Sequence, residues 1–399
     1  MPPRVQLFYF EAGRGHAAAA RALAEVMRGH FAIELVNLQK LLEPLDFVRR
    51  FTGMNIQDCY NLLMRREWTL GIGAIVPVLQ AAIGLWHRDL ERALEQHWQA
   101  RPAELVVSVV PHFNHVLQAA LRRALPRARF AVALTDLADY PLAPRFYQRN
   151  FWLTATPDLV FCGTAKAAEQ ARAARCAPAS IVRTSGMILR PSFYTEEAAM
   201  DEAERRRQRE ALGLEPDLPT ALVLFGGAGS RRMLLVAREL ERARTPLQAI
   251  FLSGHNAKLA AAMETRHWRI PHRLEGFSDD VSGFMRLADF FIGKPGPGSL
   301  SEALQLGLPA LVERNAWTLP QERYNAQWLE EQGYGVALPS FRKLHTGVEW
   351  LLEPGRLQEF RGRLAGIENR AVFEIAERLG RQEPPMVGAD SSAPARPRL

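Results

Sequence analysis

Short apolar runs alternate along this chain with longer stretches whose apolar residues recur at helical spacing. Residues 5–10, 31–36, 104–110, 130–134 and 159–162 read as strands, with a further landmark strand beginning at Ile181. The same signal returns at 220–225, 249–252, 288–292 and 310–312, with a short segment at 274–278. Helices are expected over 18–27, 116–124, 233–244 and 281–287, with a charged, solvated helix over 196–212 and terminal helices within 357–379. Each half opens with a strand, a Gly-containing turn and a helix. The pattern predicts an α/β protein of two Rossmann-like domains facing across a cleft. The expected domains are residues 1–190 and 191–380, with terminal helices that can fold back on the first. Gly186 and Pro191 suit a hinge between them. Residues 381–399 are Pro-, Ala- and Ser-rich and are expected to be disordered.

Composition narrows the class. A chain of 399 residues exceeds one typical core. It has no apolar run of spanning length, and its first residues enter a strand without the layout of a signal peptide. Cys59, Cys162 and Cys176 have neither zinc spacing nor the look of a disulfide framework, which fits a reducing cytoplasm. The net charge of +7 favours anionic surfaces. Acidic and basic residues are interleaved without an aromatic-basic motif, so a membrane surface ranks above nucleic acid, which is not expected as a partner. Residues 40–87 and their flank mix Leu41, Leu42, Leu45, Phe47, Val48 and Phe51 with Arg49, Arg50, Arg65, Arg66 and Arg88, and add Tyr60, Trp68 and Trp86. Such a segment suits an anionic membrane interface. A pair of amphipathic helices packed on the domain core has the same pattern.

The chemistry-bearing stretch is Gly293-Lys-Pro-Gly-Pro-Gly-Ser-Leu-Ser-Glu302, a strand end, a Gly/Pro loop and a helix start. Gly296 and Gly298 let the backbone approach a ligand, and Ser299 and Ser301 are candidate caps. The helix N-terminus is a seat for phosphate. Glu302, one turn in, suits neutral hydroxyls such as those of a ribose. An ordinary turn between strand and helix uses the same residues. Gly226-Gly-Ala-Gly-Ser230, which contains Gly227, is a second candidate phosphate loop. In the first half, Gly15 and His16 follow the first strand, and Thr135-Asp136 follows another. His16 and Asp136 are candidate bases, although either residue type also serves as a cap. His112 and His115 lack a third ligand at metal spacing, so neither a metal nor a cofactor is expected.

Lys294-Pro-Gly-Pro-Gly-Ser-Leu-Ser-Glu-Ala303, Gly307-Leu-Pro309 and Pro320-Gln-Glu-x-x-Asn325 together resemble the donor site of the monogalactosyldiacylglycerol synthase family. That family is related to the transferase that adds N-acetylglucosamine to the lipid-linked peptidoglycan precursor. Gly15-His16, His115, Thr135-Asp136, Arg190-Pro-Ser-Phe193, Ser253-Gly-His-Asn256 and Glu275-Gly-Phe277 extend the resemblance over most of the chain. The resemblance implies a GT-B fold and an inverting transfer of a hexose from a UDP-sugar to a lipid, diacylglycerol or a related glycolipid. It places Gly227, Ser253, Gly254, Asn256, Gly276, Phe277, Gly296, Gly298, Ser299, Glu302, Gln321 and Asn325 at the donor. It places Gly15 and His115 on the acceptor side and makes His16 or Asp136 the base. A peripheral position on the inner face of the cell membrane is expected. A UDP-sugar epimerase of the same fold and a membrane-binding protein without catalysis are the competing readings. The first needs no lipid-binding insertion, and the second needs none of the donor residues.

Overall fold

The computed structural model describes residues 2–11, 15–45, 83–140, 151–194 and 200–381. Most of the expected membrane segment (residues 46–82), Cys59, Gly13, Arg14 and the tail beyond residue 381 lie outside the described residues.

Two parallel sheets of six strands organise the rest. The first contains β1 (Arg4–Tyr9), β2 (Ala32–Asn37), β3 (Leu105–Ser108), β4 (Arg129–Ala133), β5 (Leu159–Cys162) and β6 (Ile181–Arg183), in the order β2-β1-β3-β4-β5-β6. The second contains β7 (Thr220–Leu224), β8 (Gln248–Leu252), β9 (His272–Glu275), β10 (Phe290–Gly293), β11 (Ala310–Glu313) and β12 (Gly335–Leu338), in the order β12-β11-β10-β7-β8-β9. Leu7 stands between Leu35 and Val107, and Ile292 between Val223 and Leu311.

The central strands are apolar on both faces because helices cover both faces of a parallel sheet. Val5 and Leu7 pack beneath the helix Gly15–Met27, whose alanines at 17, 19, 20, 22 and 24 let it lie close. Phe8 and Val106 point the other way, onto Leu94 and Trp98 of the helix His87–Ala100. Strand order reverses beside β1 in the first sheet and beside β7 in the second. Open sheets of this kind bind ligands at those reversals, outside the carboxyl ends of the strands.

The last helix, Ala371–Gly380, packs against Gly15–Met27 and adds Val372, Ile375 and Leu379 to the core of the first domain. The chain therefore crosses between the domains twice, and the crossings touch. Asn369 Nδ2 donates to the Met187 carbonyl at 2.9 Å, and its amide fills the space a Cβ on Gly186 would need.

Some elements differ from the sequence expectation. The charged helix spans Glu202–Ala211, because the Asp201 side chain accepts the Glu204 N–H and fixes the start there. The helix Ala257–Glu264, mostly alanine, and the four-residue strand β12 are not expected from sequence, and β12 opens on a glycine packed close against Ala310.

Candidate active site

A cleft of about 1650 Å³ separates the carboxyl ends of the two sheets. Its walls are the loops after β1, β3 and β4 on one side and those after β7 to β11 on the other.

The second-domain wall is built for close approach. Gly229 and Gly254 have φ of 62° and 63°, and a Cβ on either would collide with the opposing loop, at the Ser253 and Gly227 carbonyls respectively. The loops after β7 and β8 thus meet backbone to backbone. Next to them the His255 and Phe277 rings stack with centroids 4.0 Å apart and an interplanar angle of 17°. Phe277 leaves 46 % of its surface exposed.

The loop after β10 leads into the helix Pro297–Gln305, with Gly296 as its N-cap residue and proline in its first turn. Among the described residues the N–H groups of Gly298 and Ser299 have no hydrogen-bond partner, and both residues line the cleft. Glu302 lies one turn further along the same wall. Burial raises its pKa and the Arg190 guanidinium opposes that shift. Lys294 Nζ lies 2.7 Å from Glu322 Oε1.

The first-domain wall carries His16, Thr135, Asp136 and His112, with Trp152 buried behind them. His16 Nδ1 and Thr135 Oγ1 are 2.9 Å apart. Part of the His16 ring is open to the cleft, but protein surrounds it; desolvation pushes its pKa down to about 4, and a backbone hydrogen bond at Val109 opposes this. Asp136 behaves oppositely. Burial raises its pKa to about 7, against the Trp152 hydrogen bond and the Lys294 charge that lower it; Glu322 and Asp139 push the same way as burial. Trp152 Nε1 donates to Asp136 Oδ2 at 2.8 Å. Outward from these polar groups the wall turns apolar, with Phe10, Leu42, Leu45, Ile83, Trp86 and Phe113.

Comparison with known proteins agrees with this geometry. Residues 220–355 match the glycosyltransferase family 28 C-terminal domain. The chain is a glycosyltransferase. Among its relatives is the monogalactosyldiacylglycerol synthase 2 of Arabidopsis thaliana, a chloroplastic protein 27 % identical over 353 residues, covering 83 % of this chain and 70 % of that one. A probable synthase of the same name from Oryza sativa subsp. japonica is 27 % identical over 352 residues with the same coverage. The fold is GT-B. The crystal structure of MurG from Acinetobacter baumannii superposes with a TM-score of 0.62 at 12 % identity, covering 94 % of this chain and 99 % of that one. CalG4, the calicheamicin glycosyltransferase, gives 0.59 at 15 %, covering 96 % and 100 %.

Set in the glycosyltransferase, most of the residues picked from sequence line the cleft. Gly15, His16, Asp136, Gly227, Gly254, Asn256, Gly276, Phe277, Gly296, Gly298, Ser299, Glu302 and Gln321 all do so. Three do not. Asn325 is fully buried, and its Nδ2 donates to the Pro295 carbonyl at 2.8 Å, so it braces the loop after β10 from behind. Ser253 is buried with its hydroxyl on the Glu275 carbonyl, tying β8 to β9. His115 is exposed and lies outside the cleft, with its ring 5.2 Å from that of His87; the histidine on the cleft wall is His112. His112 has a φ of 67°, uncommon without glycine, and its N–H donates to the Phe151 carbonyl at 2.7 Å. Asn256 reaches the cleft, but its side-chain oxygen caps the following helix through the Leu259 N–H. The two candidate bases turn to different partners: His16 turns its Nδ1 to Thr135 and Asp136 its Oδ2 to Trp152.

The cleft also holds Arg190, Glu322 and Thr135, which are not singled out as site residues from sequence, with Trp152 behind its wall. Arg190 and Glu322 sit inside motifs already quoted for the resemblance, and that was their signal. Thr135 precedes Asp136. Trp152 follows the undescribed stretch 141–150 and carries no recognisable pattern. No helix among the described residues is long and apolar enough to cross a membrane. Among the described residues no cluster of three or more His, Cys, Asp or Glu is arranged to hold a metal.

Proposed function

We propose that this glycosyltransferase moves a hexose from a UDP-sugar to the hydroxyl of a lipid, diacylglycerol or a related glycolipid, with inversion at the anomeric carbon. The observation that carries this reading is the position of Asp136. It stands on the first-domain wall between an apolar lining suited to acyl chains and a facing wall of glycines and free N–H groups suited to a diphosphate. The monogalactosyldiacylglycerol synthases named above support the donor and acceptor classes.

The residues divide the reaction between them. Asp136 takes the proton of the acceptor hydroxyl as its oxygen attacks the anomeric carbon and the bond to the diphosphate breaks. A carboxylate that titrates near neutrality is well matched to that task. His16 is a poorer base, since its imidazolium is destabilised, and it serves as a neutral hydrogen-bonding wall. The N–H groups of Gly298 and Ser299, the helix behind them and Lys294 meet the charge developing on UDP. Glu302 holds ribose hydroxyls, Gln321 and Glu322 face the sugar, and Phe277 flanks the base. The protein acts as a peripheral protein on an anionic membrane surface, at the inner face of the cell membrane, to which its charge of +7 is suited.

The test is incubation of the purified protein with radiolabelled UDP-galactose, UDP-glucose or UDP-N-acetylglucosamine and diacylglycerol in mixed micelles. A labelled glycolipid is the expected product. Release of an epimerised nucleotide sugar, or no lipid-borne label with any donor, overturns the reading.

A further inference from the structure

Asp136 does not hold its own orientation. Its Oδ2 accepts the Trp152 indole N–H, and its other oxygen has no partner among the described residues. Trp152 is itself fixed from behind. Asp139 Oδ1 accepts the N–H groups of Phe151 at 2.9 Å and Trp152 at 2.8 Å, and its Oδ2 accepts that of Leu153 at 3.0 Å. Gln170 clasps the Asp139 backbone on both sides, accepting its N–H at 2.9 Å and donating to its carbonyl at 2.7 Å. The Asn114 side chain donates to the Trp152 carbonyl at 2.9 Å. The indole is fully buried, and its ring centroid lies 5.8 Å from that of His16. A buried carboxylate spends its hydrogen-bonding capacity on neighbours that neutralise or orient it. Here the indole occupies one oxygen and leaves the other for the cleft.

We propose that Trp152 is a positioning residue for sugar transfer, which aims the free oxygen of Asp136 at the acceptor, and that Asp139 sets Trp152 through the backbone of residues 151–153. The inference rests on Asp136 being the base. The indole bond favours the ionised carboxylate, so it also keeps a working fraction of Asp136 deprotonated near neutrality. Other charged or titratable groups acting on Asp136 are Glu322 and Lys294 from the second domain and Asp139 from its own loop, with His16 beside the indole ring. None of them is changed by substituting Trp152.

The experiment is an NMR titration of protein carrying ¹³C-carboxyl aspartate and ¹⁵N-indole tryptophan, read beside the pH profile of turnover. In the wild type one carboxyl, identified by its absence in D136N, titrates near neutral pH. One of the 8 tryptophan indole signals shifts with the same midpoint. In W152F, whose folding is checked by UDP binding on the opposite domain, that midpoint and the acid limb of turnover both rise by about one pH unit, tenfold in proton affinity. Activity lost at pH 7 then recovers at higher pH. The wild-type indole titration decides the matter even if W152F does not fold. If no indole follows the Asp136 carboxyl, or W152F leaves its midpoint in place, the proposal fails and the base stands. Turnover that survives D136N removes the base itself, and the proposal with it.

Discussion

The ammonium of Lys294 and the carboxylate of Glu322 pair at 2.7 Å in the second domain, and both charges reach Asp136 in the first. Lys294 favours its ionised form and Glu322 opposes it. The base of one domain is thus tuned by an ion pair of the other, and the two substitutions have opposite signs. K294A should move the acid limb of the turnover profile to higher pH by about half a unit, and E322Q should move it lower by a similar amount. Shifts of the same sign in both variants would show that the pair does not act on the base electrostatically.

The pH profile itself separates the two candidate bases. With Asp136 as base, turnover rises with pH through about 7 and levels above it. With His16 as base it would be flat from about pH 5 upward, because that imidazole loses its proton near 4. D136N should lower turnover by roughly 10²-fold or more. H16A should cost less, about fivefold, the scale of one hydrogen bond.

The same carboxyl leaves a signature in stability. Its folded pKa lies above its unfolded value, so its protonated form stabilises the fold at low pH and that contribution is lost as pH rises through about 7. D136N keeps a neutral acceptor for the indole at every pH. Urea unfolding should therefore show D136N gaining on the wild type between pH 5 and pH 8, by about 2.5 kcal/mol. His16 has the opposite sign, because its folded pKa lies below the unfolded one and its contribution is lost as pH falls from 6.5 towards 4. A constant gap between the two proteins over the upper range would mean that Asp136 is ionised in the fold throughout.

Gln321 and Asn325 should part company. Gln321 lines the cleft, so Q321A should change the preference among UDP-hexoses. Asn325 is buried behind the loop it braces, and N325A should cost about 1–3 kcal/mol of stability and weaken UDP binding while leaving the sugar preference intact. Calorimetry with UDP and competition between donors measures both; a changed preference in N325A would put its amide at the sugar.

E302A should lose about 1–3 kcal/mol of UDP affinity in calorimetry, and an unchanged affinity would take Glu302 out of the nucleotide site. The carboxyl is desolvated on the cleft wall with Arg190 acting on it, which is where a ribose hydroxyl would find a strong acceptor.

The parts of this molecule legible in its sequence are those with a repeating physical signature. Apolar runs such as 5–10 and 220–225 became β1 and β7, and the glycines after β7 became a turn of the cleft. The motif around Gly296 and Gly298 became a loop and helix N-terminus. What stayed hidden depends on direction. Spacing cannot say whether a polar side chain after a strand faces the ligand or the loop behind it, and Asn325, expected at the donor, turns its amide onto the Pro295 carbonyl behind that loop. His112 sits in the loop with a left-handed backbone and faces the cleft, while His115, three residues on, belongs to the helix Asn114–Ala124 and faces away. Trp152 is brought to Asp136 by Asp139, a contact between loops that no local pattern records.

The last helix places Val372, Ile375 and Leu379 inside the core of the first domain. Its six strands end at Arg183, so nearly two hundred residues must be made between the final strand and the helix that closes that core. At usual rates of synthesis the delay is roughly ten to forty seconds. The second domain can complete its own sheet within that interval. On the ribosome this protein becomes whole from the back, and a chain that stops before Ala371 leaves its first helix without the packing of Val372, Ile375 and Leu379.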